Sequence, residues 1–318
     1  MLGYLIRRLA VACALVLAAV TLVFLMIHMV PGDPAEFLLS QGSSAPSPEA
    51  VAALRQQLGL DKPLLVQYLG FLGDLLTGDF GNSMRDGHAV AAEIWLRLPR
   101  TLELIFASGV IAVVLGIPAG VWAALRPGHW LSHLMSLMSG LALAIPVFVS
   151  GTLLVLAFAL KLPILPSGGF VPFTTDPIGH LRNLVLPAVT IAIGLVAMVY
   201  QMTYSAVSEI KRQEFVLAAR ARGIPQKAIA RRHILPNAMI PVVTLLALQL
   251  GTLLGGTVLV EYVFNWPGLS GYLVSAVEAR DYPEVLGIVL VISVITVIIN
   301  LAIDLLYGVL DPRVRRHT

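Results

Sequence analysis

The sequence predicts an all-α polytopic membrane protein with six transmembrane helices. Of its 318 residues, 58% are hydrophobic and 12% are charged, and the mean hydropathy is +0.87. Soluble domains average about 45–50% apolar and about 25% charged residues. So few charges could not cover a water-soluble body, and the composition therefore excludes a soluble enzyme, a nucleic-acid-binding protein and a disordered linker.

Six apolar segments are long enough to cross a bilayer, because a helix needs about 20 apolar residues to span roughly 30 Å of hydrocarbon. The first segment follows Arg7 and Arg8. It is longer than the roughly 7–15 apolar residues of a signal peptide, so we expect it to be retained as a span. The predicted spans are 9–30, 101–125, 131–160, 184–204, 237–264 and 284–307.

The distribution of basic residues predicts the orientation, since Lys and Arg accumulate on the cytoplasmic side. With the N-terminus inside, the inner segments hold 13 basic residues and the two short outer connections hold 3. Both termini are therefore expected in the cytoplasm. The predicted division is an N-terminal transmembrane helix at 1–30, an extracytoplasmic helical segment at 31–100, a five-helix core at 101–310 that contains a cytoplasmic loop at 205–236, and a cytoplasmic tail at 311–318.

The extracytoplasmic segment is predicted to contain two helices. Ser47-Pro48-Glu49 is a typical helix start, and Gly59 is a typical end. The second helix starts at Asp61-Lys62-Pro63 and runs toward Gly78, with an apolar stripe at helical spacing that suits the membrane surface or the ends of the spans. The stripe either packs within the chain or forms a docking surface for an outer partner.

The loop 205–236 is predicted to be a helix-turn-helix. Strong helix formers from Glu209 to Arg222 end at Gly223, a residue suited to the left-handed conformation after a helix. Pro225 suits the first turn of a second short helix, which is expected to end near Pro236. Either the loop docks against another protein through its small residues, or it rests on anionic lipid headgroups.

Several motifs along the chain carry a family resemblance. Ala218-Ala219, Gly223 and Leu235-Pro236 fit the loop signature of the inner-membrane permease subunits of ABC importers, although Leu217 replaces its Glu and His233 its Ile. The chain is similar to the branch that transports dipeptides, oligopeptides and nickel. Further matching motifs are Tyr4 to Arg8, Pro31-Gly32-Asp33-Pro34, Leu58 to Pro63, Gly78-Asp79-Phe80-Gly81, Phe264-Asn265-Trp266-Pro267-Gly268, Asp281-Tyr282-Pro283 and Asp311-Pro312-Arg313.

The resemblance implies partners and a role for each. It implies a second homologous permease subunit, two ATP-binding cassette subunits that bind the ATP and Mg²⁺, an extracytoplasmic substrate-binding protein, and a bacterial or archaeal inner membrane. It implies ATP-driven uptake of dipeptides or oligopeptides, with nickel or glutathione as the alternative. The residues expected to couple the chain to the ATPases are Glu214, Ala218, Ala219, Arg220 and Gly223. The chain lacks a Gly-x-x-x-x-Gly-Lys-Ser/Thr loop, so we expect no cofactor, no metal and no catalytic residue in it.

Two other function classes have some support. Gly268-Leu269-Ser270-Gly271 fits the Gly-x-Ser-Gly pattern of intramembrane serine proteases, but the last span contains no histidine to act as the base. Glu103, Glu261 and Asp304 lie in or at the ends of spans, where an acid is costly and often functional. An ion-coupled secondary carrier is therefore the main alternative, and capping or interfacial pairing is the structural explanation of these acids.

Remaining motifs are expected to shape the packing of the spans. Gly116 and Gly120 form a Gly-x-x-x-Gly pair, as do Gly251 and Gly255. Such faces either pack helices closely within the chain or line the interface with the second permease. Kinks are expected at the prolines of the spans, which are Pro118, Pro146, Pro187 and Pro241. His129 and His133 have the spacing of metal ligands, but no further donors lie nearby in the sequence.

Overall fold

The described part of the chain is almost entirely helical. The computed structural model describes residues 2–29, 32–40 and 46–310. The helices are α1 (Leu2–Met29), α2 (Pro34–Ser40), α3 (Pro48–Gln57), α4 (Leu64–Thr77), α5 (Val90–Leu125), α6 (Trp130–Ala144), α7 (Val147–Leu154), α8 (Pro177–Ile210), α9 (Glu214–Ala221), α10 (Gln226–Ile229), α11 (Leu235–Gly256), α12 (Val258–Val263), α13 (Leu269–Glu278) and α14 (Tyr282–Leu310). Two π-helical segments, Val155–Lys161 and Ala230–Ile234, continue α7 and α10.

Among these residues, 5 helical segments are long and apolar enough to cross a membrane, or 6 if one bent pair counts as a single span. The all-α polytopic prediction is confirmed. The third predicted span, 131–160, is not one continuous helix, because α6 and the helix that begins at Val147 meet at 105°. Pro146 has no N–H to donate, and the residue before it, Ile145, has an extended backbone at φ −86° and ψ 125°.

The fifth predicted span, 237–264, differs from the structure at both ends. The apolar helical segment begins at Gln226 and ends at Gly256, and the separate helix α12 follows Thr257. The second short helix of the loop therefore does not end near Pro236 as predicted. Pro236 lies in the first turn of α11, where a missing N–H is tolerated, and the wider π turn before it keeps the helix continuous.

The described chain forms two compact units, and the first comprises the residues up to Pro99 together with Gly268–Val297. Its core joins the start of α5 to α13 and α14 through Ile94, Leu269 and Ile288. Both helices predicted within 31–100 are confirmed, and their extracytoplasmic location stays a prediction. The Ser47 hydroxyl accepts a hydrogen bond from the Ala50 N–H at 3.2 Å, and α4 ends at Gly78 in the left-handed conformation.

The second unit comprises Arg100–Pro267 and the residues from Ile298 onward. Its core includes Leu104, Val199 and Phe264, and α8 packs against α6, α7 and α11. A Cβ on Gly120 would lie 2.7 Å from the Thr203 Cβ and 2.8 Å from the Tyr200 carbonyl oxygen. The first glycine pair therefore packs α5 closely against α8 within the chain. The division at 1–30, 31–100, 101–310 and 311–318 stays a functional prediction, and 311–318 lies outside the described residues.

Candidate functional site

The predicted cytoplasmic loop contains a short helix held between two turns. The prediction of one helix from Glu209 to Arg222 is wrong, since α8 ends at Ile210 and α9 begins at Glu214. The Lys211 ammonium donates a hydrogen bond to the Ala124 carbonyl at 3.3 Å, which fixes the first turn. Helix propensity favoured continuity, but the turn allows α9 to bury an apolar side against the rest of its unit.

The buried side of α9 belongs to a core cluster. Val216 and Ala219 are 0% and 7% exposed and pack among buried residues that include Val207, Ile229 and Ile234. This cluster joins α9 to α8, to α10 and to the start of α11. It stabilises α9 independently of any partner, because burial of aliphatic side chains is the main favourable contribution to folding.

The other side of α9 is exposed. Of the five predicted coupling residues, Glu214, Ala218, Arg220 and Gly223 are exposed, and Ala219 is buried in the cluster. Whether these residues contact an ATPase stays a prediction. Ala219 has a packing role within the chain, because its methyl group is buried in the same cluster as Val216.

Two apolar residues on α9 were not in the predicted set. Phe215 is 46% exposed and Leu217 is 51% exposed. Large apolar side chains on an otherwise polar surface segment are typical of protein–protein contacts. The departure of Leu217 from the family signature was the available signal, because an apolar residue occupies the position of an acid.

The turn after α9 confirms the prediction for Gly223. Its φ is +75°, and no atom lies within 4 Å of the position that a Cβ would take. Its N–H donates to the Arg220 carbonyl at 2.9 Å, and the Ile224 N–H donates to the Ala219 carbonyl at 3.3 Å. The glycine therefore reverses the chain so that Ile229 of α10 can reach the cluster beneath α9.

Two of the three acids that suggested an ion-coupled carrier, Glu261 and Glu103, have hydrogen-bonding partners within the chain. Glu261 is 1% exposed and accepts hydrogen bonds from the hydroxyls of Thr101, at 2.7 Å, and Thr257, at 3.0 Å. Glu261 is therefore buried and hydrogen-bonded within the chain. The Glu103 carboxyl group lies within hydrogen-bonding distance of the His180 Nε2. The side chain of Asp304 lies outside the described residues.

The Glu103–His180 pair has a defined hydrogen-bonding arrangement. The Nε2 of His180 faces the carboxylate, and its Nδ1 lies 2.7 Å from the Val171 carbonyl oxygen. A carbonyl can only accept, so Nδ1 is the donor to Val171. His180 is 2% exposed and contacts the rings of Phe170 and Trp266. The pair thus ties α5 to α8 at the loop before α8.

Other candidate residues have structural positions. His129 caps α6, since its Nδ1 accepts a hydrogen bond from the Leu131 N–H at 3.2 Å. Ser270 is fully buried in α13 and is not open to a substrate. Around Gly255, by contrast, no atom lies within 4 Å of a Cβ position, so this part of α11 has an open face.

Known transport proteins match this chain over nearly its whole length. Residues 116–316 match the family described as binding-protein-dependent transport system inner membrane component, and residues 1–105 match the N-terminal membrane component of the same systems. The dipeptide transport system permease protein of Alkalihalophilus pseudofirmus is 33% identical over 335 residues, covering 99% of this chain and 100% of that protein. The glutathione transport system permease protein of Escherichia coli K12 is 38% identical over 315 residues, covering 99% of each.

A solved structure shares the fold. The membrane chain matched in an inward-facing conformation of the MetNI methionine ABC transporter gives a TM-score of 0.53 at 25% sequence identity. The match covers 69% of this chain and 96% of the solved chain.

Proposed function

The chain belongs to the family of binding-protein-dependent transport system inner membrane components, and from this premise we propose that it moves dipeptides or oligopeptides across the membrane. It is a multi-pass inner-membrane permease subunit of the ABC importer type. Relatives named for peptide and dipeptide transport match almost its whole length, which supports a peptide substrate.

The exposed face of α9 carries the proposal. Phe215 and Leu217 are each about half exposed, while Val216 between them is fully buried. A helix anchored on one side and apolar on the other is suited to transmit force, because a partner that binds the outer face moves the whole anchored cluster. We propose that this face is where an ATPase subunit acts on the chain.

In the proposed assembly, partner subunits supply the energy for transport. It contains this chain, a second homologous permease, two ATP-binding cassette subunits with their ATP and Mg²⁺, and an extracytoplasmic substrate-binding protein. The absence of a phosphate-binding loop from the sequence supports this division of labour. ATP-driven closure of the cassettes would alternate the access of the pathway between the two sides of the membrane.

The proposed orientation places both termini and α9 in the cytoplasm. The excess of basic residues in the segments predicted to be inner supports it. Glutathione is the second candidate substrate, because the Escherichia coli relative is named for glutathione transport. Nickel is a third, and it rests only on the family resemblance.

Reconstitution tests the proposal against the ion-coupled carrier. Proteoliposomes that hold this chain alone should take up no radiolabelled Ala-Ala. Adding the second permease, both ATPases, the binding protein and ATP should restore uptake. Uptake by the isolated chain under an imposed proton gradient would instead assign it to the carriers.

A double substitution tests the role of α9. Phe215→Ser with Leu217→Ser should leave the chain in the membrane at normal levels but reduce its co-purification with the ATPases, because the anchored side of α9 is untouched. Gln226→Ser, which is also exposed in the loop, is the matched control and should co-purify normally. Normal co-purification of the double variant would show that the ATPases bind elsewhere.

A further inference from the structure

The second unit contains a cavity that the coupling argument does not use. Its volume is about 170 Å³. It lies beside the bend between α6 and α7, against the middle of α8 and the C-terminal half of α11, with Ile145, Gly194, Gln249 and Leu253 among its lining residues. We propose that this cavity is a subsite of the transport pathway that receives an uncharged part of a peptide, and that Gln249 binds the peptide's backbone amide group. The proposal rests on the peptide function proposed above.

The position of the cavity suits a pathway. Gly194 lies halfway along α8, which spans Pro177–Ile210, so the cavity is at the middle of the helix that crosses the membrane. The helix bend at Ile145 and Pro146 forms another wall. A bend displaces α7 from the line of α6, which leaves a gap that a straight helix would fill.

The polarity of the cavity indicates what it can bind. None of the residues that line it is ionisable. The Thr190 hydroxyl donates to the Leu186 carbonyl at 2.8 Å, so its proton is already used. The Gln249 amide nitrogen donates to the Met198 sulfur at 2.7 Å. A thioether is a weak acceptor, so a stronger acceptor such as a peptide carbonyl would replace it favourably.

The surroundings of Gln249 argue against a lipid-facing side chain. An amide directed into hydrocarbon without a strong partner is costly. Gln201 lies one turn after Met198 on the same face of α8, is exposed, and donates to the Ser139 hydroxyl at 3.3 Å. Polar side chains on the open side of spanning helices are typical of a water-filled pathway.

The chemistry of the amide matches that of a peptide bond. A glutamine side chain offers an N–H₂ donor and a carbonyl acceptor, which can pair with the C=O and N–H of one peptide group. Ile145 and Leu253 provide apolar surface for the substrate's side chain. No atom lies within 4 Å of the Cβ positions of Gly194 and Gly256, so the peptide backbone can come close to both helices.

Uptake by the complete reconstituted transporter tests the subsite. The probes are Ala-Ala, Ala-Lys and Ala-Glu, supplied at saturating binding protein with ATP. Gln249→Leu should lower the Ala-Ala uptake rate about threefold to tenfold, the typical effect of losing one or two hydrogen bonds. ATPase activity should stay within about twofold of the wild type. Gln249→Glu should shift the ratio of Ala-Lys to Ala-Glu uptake at least fivefold toward Ala-Lys, because it adds a negative charge to an uncharged wall.

The controls separate this proposal from its premise. Thr244→Val removes a polar group from α11 outside the cavity, where the hydroxyl bonds to its own helix, and should transport normally. Wild-type uptake with unchanged rates in both Gln249 variants would overturn the subsite alone. An equal fall of Ala-Lys and Ala-Glu uptake in Gln249→Glu would mean that Gln249 packs against the second permease and does not face the substrate. No uptake of any peptide by the wild-type complex would overturn the peptide function and the subsite together.

Discussion

The left-handed turn at Gly223 allows a sharp test of how α9 functions. The substitution is Gly223→Val. The glycine has φ +75° with no atom within 4 Å of its Cβ position. A valine side chain would therefore meet no neighbour, and the whole cost of the substitution comes from forcing a β-branched residue into a left-handed backbone. The variant isolates backbone strain from packing.

The size of the effect follows from that strain. A non-glycine residue held in a sparsely populated backbone region costs about 1–3 kcal/mol. Because about 1.4 kcal/mol corresponds to a tenfold change, the ratio of the native turn to alternative conformations should fall roughly fivefold to 140-fold. The spans should remain folded, since their cores lie elsewhere in the chain. The loss should thus appear in the relative positions of α9 and α10, which this turn sets.

The assay compares membrane level, ATPase association and uptake in the complete complex. Gly223→Val should be present at the wild-type level but should lose most association and uptake. Gly223→Asn is the matched control, because asparagine tolerates the left-handed region much better than valine, and it should retain most of both. Equal behaviour of the two variants would refute the argument from strain. Loss of Gly223→Val from the membrane would refute the separation of the turn from the spans.

Three further substitution sets test other parts of the structure. Gly120→Val should lower the yield and the thermal midpoint of the chain by several degrees, because its Cβ would lie 2.7 Å from that of Thr203; a wild-type melting curve would contradict the close packing of α5 on α8. Glu103→Gln and Glu261→Gln should lower thermal stability while ATP-driven uptake per folded complex stays within about threefold, since both acids serve packing; abolished uptake at normal stability would favour a proton-coupled step. In a Cys13→Ala background, a membrane-impermeant thiol reagent applied to intact cells should label Ala53→Cys and spare Gln213→Cys, both of which are exposed positions; the reverse labelling would invert the proposed topology.

Local sequence signals predicted the outer helices and the turn in the loop. Ser47 caps α3, Gly78 ends α4 and Gly223 is left-handed, all as expected. Each of these outcomes depends on atoms within a few residues along the chain, such as a side-chain oxygen beside a free N–H or a missing Cβ. That information is present in the sequence without knowledge of the fold.

Pro146 marks a break in the predicted third span, but the angle of that break does not follow from the local sequence. The proline identifies a break, but the 105° between the two helices depends on what packs against them. Thr190 and Phe264 both lie within about 3.2 Å of a Cβ built on Gly151 of α7, so close packing in the core holds α7 where it is. A kink was therefore predictable and its size was not.

The sequence by itself determined that this protein is a helical membrane permease of a known family, because length, apolarity, charge distribution and motif order are properties of the chain. Tertiary structure decided which residues face outward. Ala218 and Ala219 are adjacent and chemically identical, yet the first is exposed and the second is buried. Phe215 and Val216 are also adjacent and apolar, yet only Val216 is buried. Their burial is set by Ile229 and Ile234, residues that only the folded chain brings beneath α9.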